Sequence, residues 1–265
     1  MNKLSLFLSI FLMYTAVHSQ STMVWPKNKS MALSLTWDDG RESQMTRGLP
    51  LLGKYGIKAT FYVIPSAVEK QKSLWQPAVL QGHEIGNHSL THPCSGNFLW
   101  SRKNALEEYS IDSIEKNVVM ASEKLEMMFQ IKVNSFAYPC GQTFVGKGLT
   151  TESYVPVIAK HFKSGRTWLD ESPNDPVYCD MAQITGMEMD GKDFETINQW
   201  IENARKNHLW LVLAGHDIGD GGNQTTNISM LNQLFTYLTH EKGNDIWVAP
   251  VGEIVSYIDQ AKFKH

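Results

Sequence analysis

The chain has 265 residues, of which 42% are hydrophobic and 19% are charged, and its formal net charge is -3. This composition is typical of a globular protein long enough to bury a sizeable core. The small net charge, with no long run of one sign, argues against nucleic acid or an anionic membrane surface as the partner. The three cysteines, Cys94, Cys140 and Cys179, leave open whether two of them pair or all three stay reduced.

The first twenty residues differ in character from the rest of the chain. Lys3 is their only charge, residues 4–17 are largely apolar, and small or polar residues follow. This pattern is typical of a secretory signal peptide, and the apolar stretch is too short to span a bilayer comfortably, although an uncleaved anchor is the alternative. We therefore expect residues 1–20 to be removed, and residues 21–265 to form a single domain of a secreted, periplasmic or cell-surface protein without stable membrane insertion.

Strands and helices are predicted to alternate along the remaining chain. Short apolar, β-prone runs that end in turns predict strands at residues 31–37, 58–64, 84–87, 133–138, 163–168, 209–214 and 246–249. Apolar residues at helical spacing predict helices at residues 43–55, 66–81, 101–129, 151–161, 194–207, 229–240 and 251–262. Such alternation favours a mostly parallel α/β fold, in which loops at the carboxyl ends of the strands meet on one rim.

Two adjacent carboxylates, Asp38 and Asp39, follow the first predicted strand and precede Gly40. Neighbouring residues point in different directions, so one carboxylate can bind a cation while the other takes a proton from water. The simpler alternative is a tight turn, because Asp-Asp-Gly is also favourable turn chemistry.

Two histidines four residues apart, His88 and His92, follow the third predicted strand. One Asp and two His form a suitable ligand set for a catalytic Zn²⁺ that keeps an open position for water. A histidine that bonds a backbone carbonyl is the alternative for each. His83, on the turn before the strand, is interpreted as structural.

A third histidine, His216, follows the buried strand predicted at residues 209–214. A titratable ring at the end of an apolar strand suits proton transfer, and Asp217 could orient it. Hydrolysis of an acyl group needs one group to accept a proton and another to donate one. The alternative is a strand-end histidine bonded to the main chain.

An aromatic and turn segment follows the fourth predicted strand. Tyr138 can supply an aromatic wall, and Pro139 lacks an N–H, so the next free donor is the amide of Cys140. A turn of this kind can direct that N–H at a developing oxyanion, although an ordinary strand-end turn explains the segment equally well.

Taken together, these motifs resemble those of the polysaccharide deacetylases of the NodB-homology type, carbohydrate esterase family 4. Residues 36–40 match the family's Thr-Phe-Asp-Asp-Gly with Trp37 for Phe, and residues 88–92 match its His-Ser/Thr-x-x-His. The approach Gly-His-Glu-Ile-Gly-Asn is intact, and residues 213–216 resemble the final apolar strand that ends in His. The resemblance covers about residues 31–258.

The resemblance implies an α/β fold, a deformed (β/α) barrel with fewer than eight strands, and a role for each matching residue. Asp39, His88 and His92 would bind a divalent metal, most simply Zn²⁺, with Co²⁺ or Ni²⁺ as alternatives. Asp38 would act as the general base, and His216 as the general acid that protonates the leaving group.

Residues around the substrate are also implied by the resemblance. The Cys140 amide would stand where the family's oxyanion donor stands, and Leu213 would line the acetyl pocket. Tyr138 and Pro139 would contact the substrate. The partner would be an acetylated carbohydrate, and the protein is expected to be a monomer.

Two departures from the family pattern stand out. The third family motif, Arg-x-Pro-Tyr, has lost its arginine here, where Ala137 precedes Tyr138, Pro139 and Cys140. Our hypothesis is that Arg166, at the end of a later predicted strand, replaces it from another loop. A lone surface arginine is the alternative. The fourth family motif, an aspartate–tryptophan cluster, has no clear match, since residues 168–170 are a poor candidate.

Three functions therefore compete. The first is a secreted metal-dependent hydrolase that removes N- or O-acetyl groups from a carbohydrate. The second is a non-catalytic carbohydrate-binding relic of the same fold. The third is a hydrolase of small cyclic amides, against which the predicted signal peptide counts. The presence of base, ligand triad and acid favours the first.

Overall fold

The computed structural model describes residues 23–240 and 243–262. The signal-peptide prediction for residues 1–20 lies outside these residues, and the assignment of residues 21–265 to a single domain stays a prediction. Among the described residues, every helix is too short or too polar to cross a membrane.

The described residues form twelve strands, eight of which belong to one parallel sheet. The strands are β1 (Met31–Trp37), β2 (Thr60–Val63), β3 (Glu84–Asn87), β4 (Ser135–Ala137), β5 (Phe144–Val145), β6 (Glu152–Ser153), β7 (Ser164–Arg166), β8 (Met187–Glu188), β9 (Trp210–Gly215), β10 (Asp217–Gly219), β11 (Thr225–Asn227) and β12 (Ile246–Val248). The main sheet follows the order β7-β4-β3-β2-β1-β9-β8, and β12 pairs with the first half of β1.

This seven-strand path confirms the predicted deformed (β/α) barrel with fewer than eight strands. Its two ends approach each other through the segment before β8, where the Ile184 N–H donates to Gly165 and the Ile184 carbonyl accepts from Thr167. The sheet is therefore curled, and all its neighbouring strands run parallel. Two short strand pairs, β5 with β6 and β10 with β11, lie outside it.

Within the part of the chain that the structure describes, eight α-helices connect the strands. They are α1 (Leu49–Tyr55), α2 (Pro65–Glu69), α3 (Lys72–Leu80), α4 (Ile111–Phe129), α5 (Val155–His161), α6 (Phe194–Lys206), α7 (Ile228–Thr239) and α8 (Val251–Lys262). The helix predicted at residues 101–129 is wrong in its first ten residues, because Ser110 caps α4 by exchanging hydrogen bonds with Ser113. The residues before it form 3₁₀ turns at Leu99–Asn104 and Leu106–Glu108.

β1 lies inside the sheet, between β2 and β9, and is buried along its whole length. Strands that are covered on both faces are mostly apolar in sequence. The hydroxyls of the two polar residues of β1 each have a buried hydrogen-bond partner. The Ser34 hydroxyl donates to the Ala249 carbonyl and the Thr36 hydroxyl to the Leu213 carbonyl, each at 2.9 Å. This buried strand gives the loop that follows it, at Asp38, a fixed starting point.

Candidate functional site

Four of the predicted site residues lie on loops that leave the carboxyl ends of three parallel strands. Asp38 and Asp39 follow β1, His88 follows β3, and His216 follows β9. These four side chains and His92 line one cleft of about 830 Å³. Parallel strands end on the same rim of a barrel, which is why residues far apart in sequence meet here.

The side chains of Asp39, His88 and His92 converge on one point. The Asp39 Oδ1 atom is 3.5 Å from His88 Nε2 and 3.4 Å from His92 Nε2. One donor atom from each of the three side chains lies within 4.8 Å of the others. Two donors that each lie about 2.1 Å from a tetrahedral Zn²⁺ are separated by about 3.4 Å, so the spacing around Asp39 fits one shared cation.

Contacts behind the triad fix the direction of each donor atom. The His88 Nδ1 lies 2.9 Å from the Ala137 carbonyl, which can only accept, so the Nε2 lone pair faces the triad. Arg41 donates to the outer oxygen of Asp39, Oδ2, at 2.9 and 3.1 Å. The backbone of both Asp39 and His92 is left-handed, with φ of 72° and 51°. Such strained positions in two of the three converging residues are typical of functional sites.

The charges of the triad favour the protonation states that metal binding needs. Burial raises the pKa of Asp39, but contact with His88 and the charges of His88, His92 and His216 together lower that pKa well below its usual range. Burial and the neighbouring His88 lower the pKa of His92 to about 4. An ionised Asp39 carboxylate and a neutral His92 imidazole are in the states that binding of a divalent cation needs.

His92 also belongs to a second candidate metal-binding group, which contains two cysteines. The Cys94 sulfur lies 3.7 Å from His92 Nδ1, and Cys94 and Cys140 could with His92 form a group of three metal donors. These two sulfurs are joined in a disulfide, so they are not thiolate ligands. Asp39, His88 and His92 are therefore the set suited to a cation.

Asp38 is buried beside Arg166. The Arg166 Nη2 lies 2.5 Å from both oxygens of the Asp38 carboxylate, and only 1% of the Arg166 side chain and 4% of the Asp38 side chain are exposed. The guanidinium also lies over the Tyr62 ring, 5.1 Å from its centroid, and donates to the Thr167 carbonyl. The contact required by our Arg166 hypothesis is thus present, and its role in catalysis stays a prediction.

His216 is oriented by Asp190. The His216 Nδ1 lies 2.8 Å from Asp190 Oδ2, and the Trp168 ring packs edge-on against the imidazole with centroids 4.7 Å apart. Burial lowers the pKa of His216, but the bond to Asp190 and the carboxylates of Asp38 and Asp39 outweigh it and raise the pKa overall. The ring is therefore suited to carry a proton on Nε2, its free nitrogen.

Asp217 does not have the predicted role of orienting His216. Its carboxylate accepts from Arg41 and Ser43, each at 2.6 Å, and so supports the arginine that holds Asp39. The prediction that Asp217 could orient His216 is wrong, because the side chain of residue 217 leaves β10 toward Arg41.

Gln44 ties the loop of Asp38 to the loop of His216. Its side-chain amide donates to the Asp38 carbonyl at 2.6 Å and to the His216 carbonyl at 2.9 Å. The Asp38 N–H in turn donates to the Gly215 carbonyl at 2.9 Å. The two loops are thus held together through their backbones beneath the cleft.

Three residues predicted to contact substrate lie away from the cleft wall. Leu213 is fully buried in β9, and Tyr138 is buried with its hydroxyl donating to the Ala182 carbonyl at 2.8 Å. Pro139 is buried as well. Leu213 belongs to β9, whereas Tyr138 and Pro139 follow β4, and the contact of these residues with substrate stays a prediction. Cys140, in contrast, lines the cleft.

A disulfide joins the loop of His92 to the turn at Cys140. Cys94 and Cys140 form this bond across 46 residues of sequence, which settles the pairing that the sequence left open. Replacing both cysteines with serine is expected to lower the free energy of unfolding by up to about 4 kcal/mol, since the unfolded chain regains the entropy of an open loop.

Denaturant unfolding of the double variant and of the wild-type protein, each with and without a thiol reductant, checks this expectation. Reductant should lower the wild-type midpoint to that of the double variant and leave the variant unchanged. A Cys179→Ser control should respond like the wild type. Equal midpoints for oxidised wild type and double variant would contradict the expectation.

Sequence reasoning missed two residues of the site, Asp190 and Arg41. Asp190 follows β8, which has only two residues and no long apolar run. The sequence signal for this strand is the alternation of Met187 and Met189 with Glu188 before an Asp-Gly turn, and both methionines are buried in the structure. Arg41 follows Asp39 by two residues, a spacing that allows the contact but does not require it.

Comparison with known proteins shows similarity to polysaccharide deacetylases. Residues 26–150 match the model of the polysaccharide deacetylase family. A peptidoglycan-N-acetylglucosamine deacetylase, PgdA of Listeria monocytogenes, is 40% identical over 70 residues, which are 26% of this chain and 15% of that protein. A chitooligosaccharide deacetylase of a Bradyrhizobium species is 42% identical over 60 residues, 22% of this chain and 27% of that one.

One relative matches over a longer range. A gellan lyase of a Bacillus species is 23% identical over 263 residues, which cover 91% of this chain but 10% of the lyase. The chain thus spans about a tenth to a third of the length of the relatives it matches.

Solved structures share the fold at lower sequence identity. A protein of Mycobacterium smegmatis described as a polysaccharide deacetylase is 15% identical, with a TM-score of 0.67 over 91% of this chain and 94% of that one. The peptidoglycan deacetylase PdaC of Bacillus subtilis is 18% identical, with a TM-score of 0.54 over 89% of this chain and 94% of that one. A protein of Bacillus anthracis described as a pseudoenzyme of carbohydrate esterase family 4 is 21% identical, with a TM-score of 0.52 over 86% of this chain and 66% of that one. The family model thus matches residues 26–150, and the described chain shares the fold of solved polysaccharide deacetylases.

Proposed function

We propose that the protein is a metal-dependent deacetylase of a carbohydrate, and that it removes acetyl groups by hydrolysis. The observation that carries the proposal is the convergence of Asp39, His88 and His92 on one point, with Asp38 and His216 in the same cleft. This set provides a cation site and two separate proton-transfer groups, which is what acyl hydrolysis by water requires.

The three converging side chains would hold the cation. A bound divalent ion, most simply Zn²⁺, supplies Lewis acidity and makes water a stronger nucleophile at neutral pH. Asp38 takes the proton of the attacking water, and Arg166 holds both oxygens of that carboxylate in place. The Cys140 amide, on the cleft wall, is the proposed donor to the oxyanion that forms when water adds to the acetyl carbonyl.

His216 completes the reaction on the leaving-group side. Its Nδ1–H is fixed on Asp190, so Nε2 carries the mobile proton. Nε2 gives that proton to the sugar nitrogen or oxygen as the bond to the acetyl carbon breaks, and acetate and the free amine or alcohol leave. The raised pKa of His216 favours the protonated form that this step needs.

Export from the cytoplasm is part of the proposal. The Cys94–Cys140 disulfide supports it, since such bonds persist mainly in oxidising compartments. The signal-like pattern of residues 1–20 supports it from the sequence. An acetylated polysaccharide outside the membrane is the corresponding substrate.

An acetate-release panel tests the proposal. Purified protein is incubated with chitooligosaccharides, peptidoglycan and acetylated xylan, with and without chelator, and Asp38→Asn serves as the blank. We expect acetate from at least one substrate, its loss with chelator and its return with Zn²⁺ or Co²⁺. Asp38→Asn should lower kcat by about 10²- to 10⁴-fold, the usual contribution of a general base.

The alternative is a non-catalytic relic, a possibility made concrete by the pseudoenzyme among the structural neighbours. Glycan binding without acetate release by the metal-loaded protein would establish that alternative. The completeness of the ligand triad, base and acid in this chain argues for catalysis. The panel also decides between N-acetyl and O-acetyl substrates.

A further inference from the structure

A series of hydrogen bonds leads from His216 into the core of the protein. The His216 Nδ1–H donates to Asp190 Oδ2 at 2.8 Å, and the Thr226 hydroxyl donates to the other oxygen, Asp190 Oδ1, at 2.6 Å. The Trp37 indole N–H donates to Thr226 Oγ1 at 3.2 Å. Asp190 is 6% exposed, and Thr226 and Trp37 are fully buried. The proposed general acid is thus the outer end of a buried series that begins at Trp37.

The chemistry of each group determines the direction of every bond in this series. An indole N–H can only donate, and an ionised carboxylate can only accept. The Thr226 hydroxyl, which can do both, must therefore accept from Trp37 and donate to Asp190. Its hydrogen then has a single orientation, and Asp190 Oδ2 stays available to the Nδ1–H of His216.

The Thr226 hydroxyl reaches Asp190 from a strand outside the barrel. Thr226 belongs to β11, where it pairs with Ile218 of β10. The neighbouring Thr225 carbonyl accepts from the Gly191 N–H at 3.0 Å, so β11 is also bonded to the turn that follows Asp190. The short β10–β11 pair therefore places a hydroxyl beside the carboxylate that orients His216.

The space around the Asp190 carboxylate leaves it little freedom to move. A Cβ atom at Gly215 would lie 2.3 Å from Thr226 Oγ1 and 2.7 Å from Asp190 Oδ1, closer than Cβ atoms approach other atoms in folded proteins. The backbone N–H of His216 also donates to Asp190 Oδ1, at 3.3 Å. Hydroxyl and carboxylate are thus packed directly against the strand end that carries His216.

Trp37 is the residue at which this chain departs from the Thr-Phe-Asp-Asp-Gly pattern. Its ring stacks on Phe61 with centroids 5.9 Å apart, a packing role that a phenylalanine ring could also fill. Only the indole supplies an N–H to Thr226. The departure from the pattern is therefore accompanied by a hydrogen bond that phenylalanine could not make.

We propose that Thr226 and Trp37 are positioning residues for His216, and that they act by holding the Asp190 carboxylate in the orientation that fixes the imidazole. This inference rests on the proposed function. A carboxylate whose second oxygen is bonded cannot rotate away from the imidazole, so Nε2 keeps facing the cleft. The arrangement exists before substrate binds, so its loss should slow the chemical step without weakening substrate binding.

Thr226→Val removes the hydroxyl and keeps a side chain of similar size. On the substrate that wild type deacetylates, we expect kcat to fall about tenfold with KM unchanged, because the imidazole is no longer held in place. Thr226→Ser, which retains a hydroxyl, should restore most of this loss. Thr225→Val is the matched control, since the Thr225 hydroxyl donates to the Asn223 carbonyl, and it should keep the wild-type kcat. Equal losses of kcat in Thr225→Val and Thr226→Val would overturn the proposal.

A double-mutant cycle tests whether Trp37 acts through Thr226. Trp37→Phe should lower kcat about threefold in the wild-type background and not at all in the Thr226→Val background, at equal concentrations of folded protein. Trp210→Phe is the matched control, because the Trp210 indole N–H also donates to a buried hydroxyl, that of Ser34, at 3.1 Å. It should leave kcat unchanged in both backgrounds. Equal losses from Trp37→Phe in both backgrounds would mean that Trp37 acts through packing alone, against the proposal.

A spectroscopic measurement separates failure of this proposal from failure of the proposed function. The Nδ1–H resonance of His216 is followed by NMR in protein with isotopically labelled histidine, and its absence in His216→Gln identifies it. In Thr226→Val we expect this resonance to move upfield and to exchange faster with water, because Asp190 no longer holds the proton firmly. Such a change supports the proposal even if wild type releases no acetate. An unchanged resonance and exchange rate in Thr226→Val would overturn it even in an active enzyme, as would the absence of the resonance from wild type.

Discussion

Arg166→Ala is expected to be among the most damaging single substitutions in this protein. It removes the partner of a buried carboxylate, and an unpaired charge in such a place costs about 3 to 5 kcal/mol of unfolding free energy. Asp38 also loses the group that holds both of its oxygens, so the proposed base would lose its orientation. Denaturant unfolding measures the loss of stability. Acetate release, compared between variants at equal concentrations of folded protein, measures the loss of activity.

Two further variants keep this prediction testable if Arg166→Ala does not fold. Arg166→Lys retains the charge without the planar fork, and we expect a folded protein whose kcat falls at least about tenfold. Arg47→Ala removes an arginine from the exposed pair with Asp220, where the expected loss is at most about 1 kcal/mol. Unchanged kcat in both Arg166 variants would show that Arg166 does not position the base.

Asp190→Asn is expected to change the pH dependence of kcat. The general acid works in its protonated form, so the rate falls as pH rises through the pKa of His216. Asp190 is a principal cause of the raised pKa of His216, and its loss should move this alkaline limb to lower pH. We also expect kcat to fall by about 10- to 100-fold, because the imidazole loses the bond that fixes its orientation. A pH profile of acetate release by the metal-loaded enzyme measures both effects.

Asp217→Asn is the matched comparison for Asp190→Asn. The Asp217 carboxylate contacts Arg41 and Ser43. The alkaline limb should therefore keep its position in Asp217→Asn, whatever the change in rate. A limb that moves with Asp217→Asn and stays in place with Asp190→Asn would mean that His216 is not the titrating acid.

The parts of the site that the sequence predicted are those fixed by short motifs at strand ends. Asp39, His88 and His92 each lie within a few residues of a strand in the parallel sheet, so strand order alone brings them to one rim. Arg166 was found by a different argument, because it ends β7 and the expected arginine was missing near Cys140. The fold class followed from the alternation of strands and helices.

The parts that were missed depend on contacts without a local pattern. Asp190 follows a two-residue strand, which is too short to show a period, and Asp217 is diverted by the pairing of β10 with β11. The start of α4 depended on a capping serine within a longer apolar pattern.

The bridge made by Gln44 has a consequence for the energetics of the reaction. One amide group bonds the backbone carbonyls of Asp38 and His216, which carry the proposed proton acceptor and proton donor. The spacing between the two is thereby set during folding and not during each turnover. Positioning these two groups then adds little to the activation free energy, because folding has already fixed their relative arrangement.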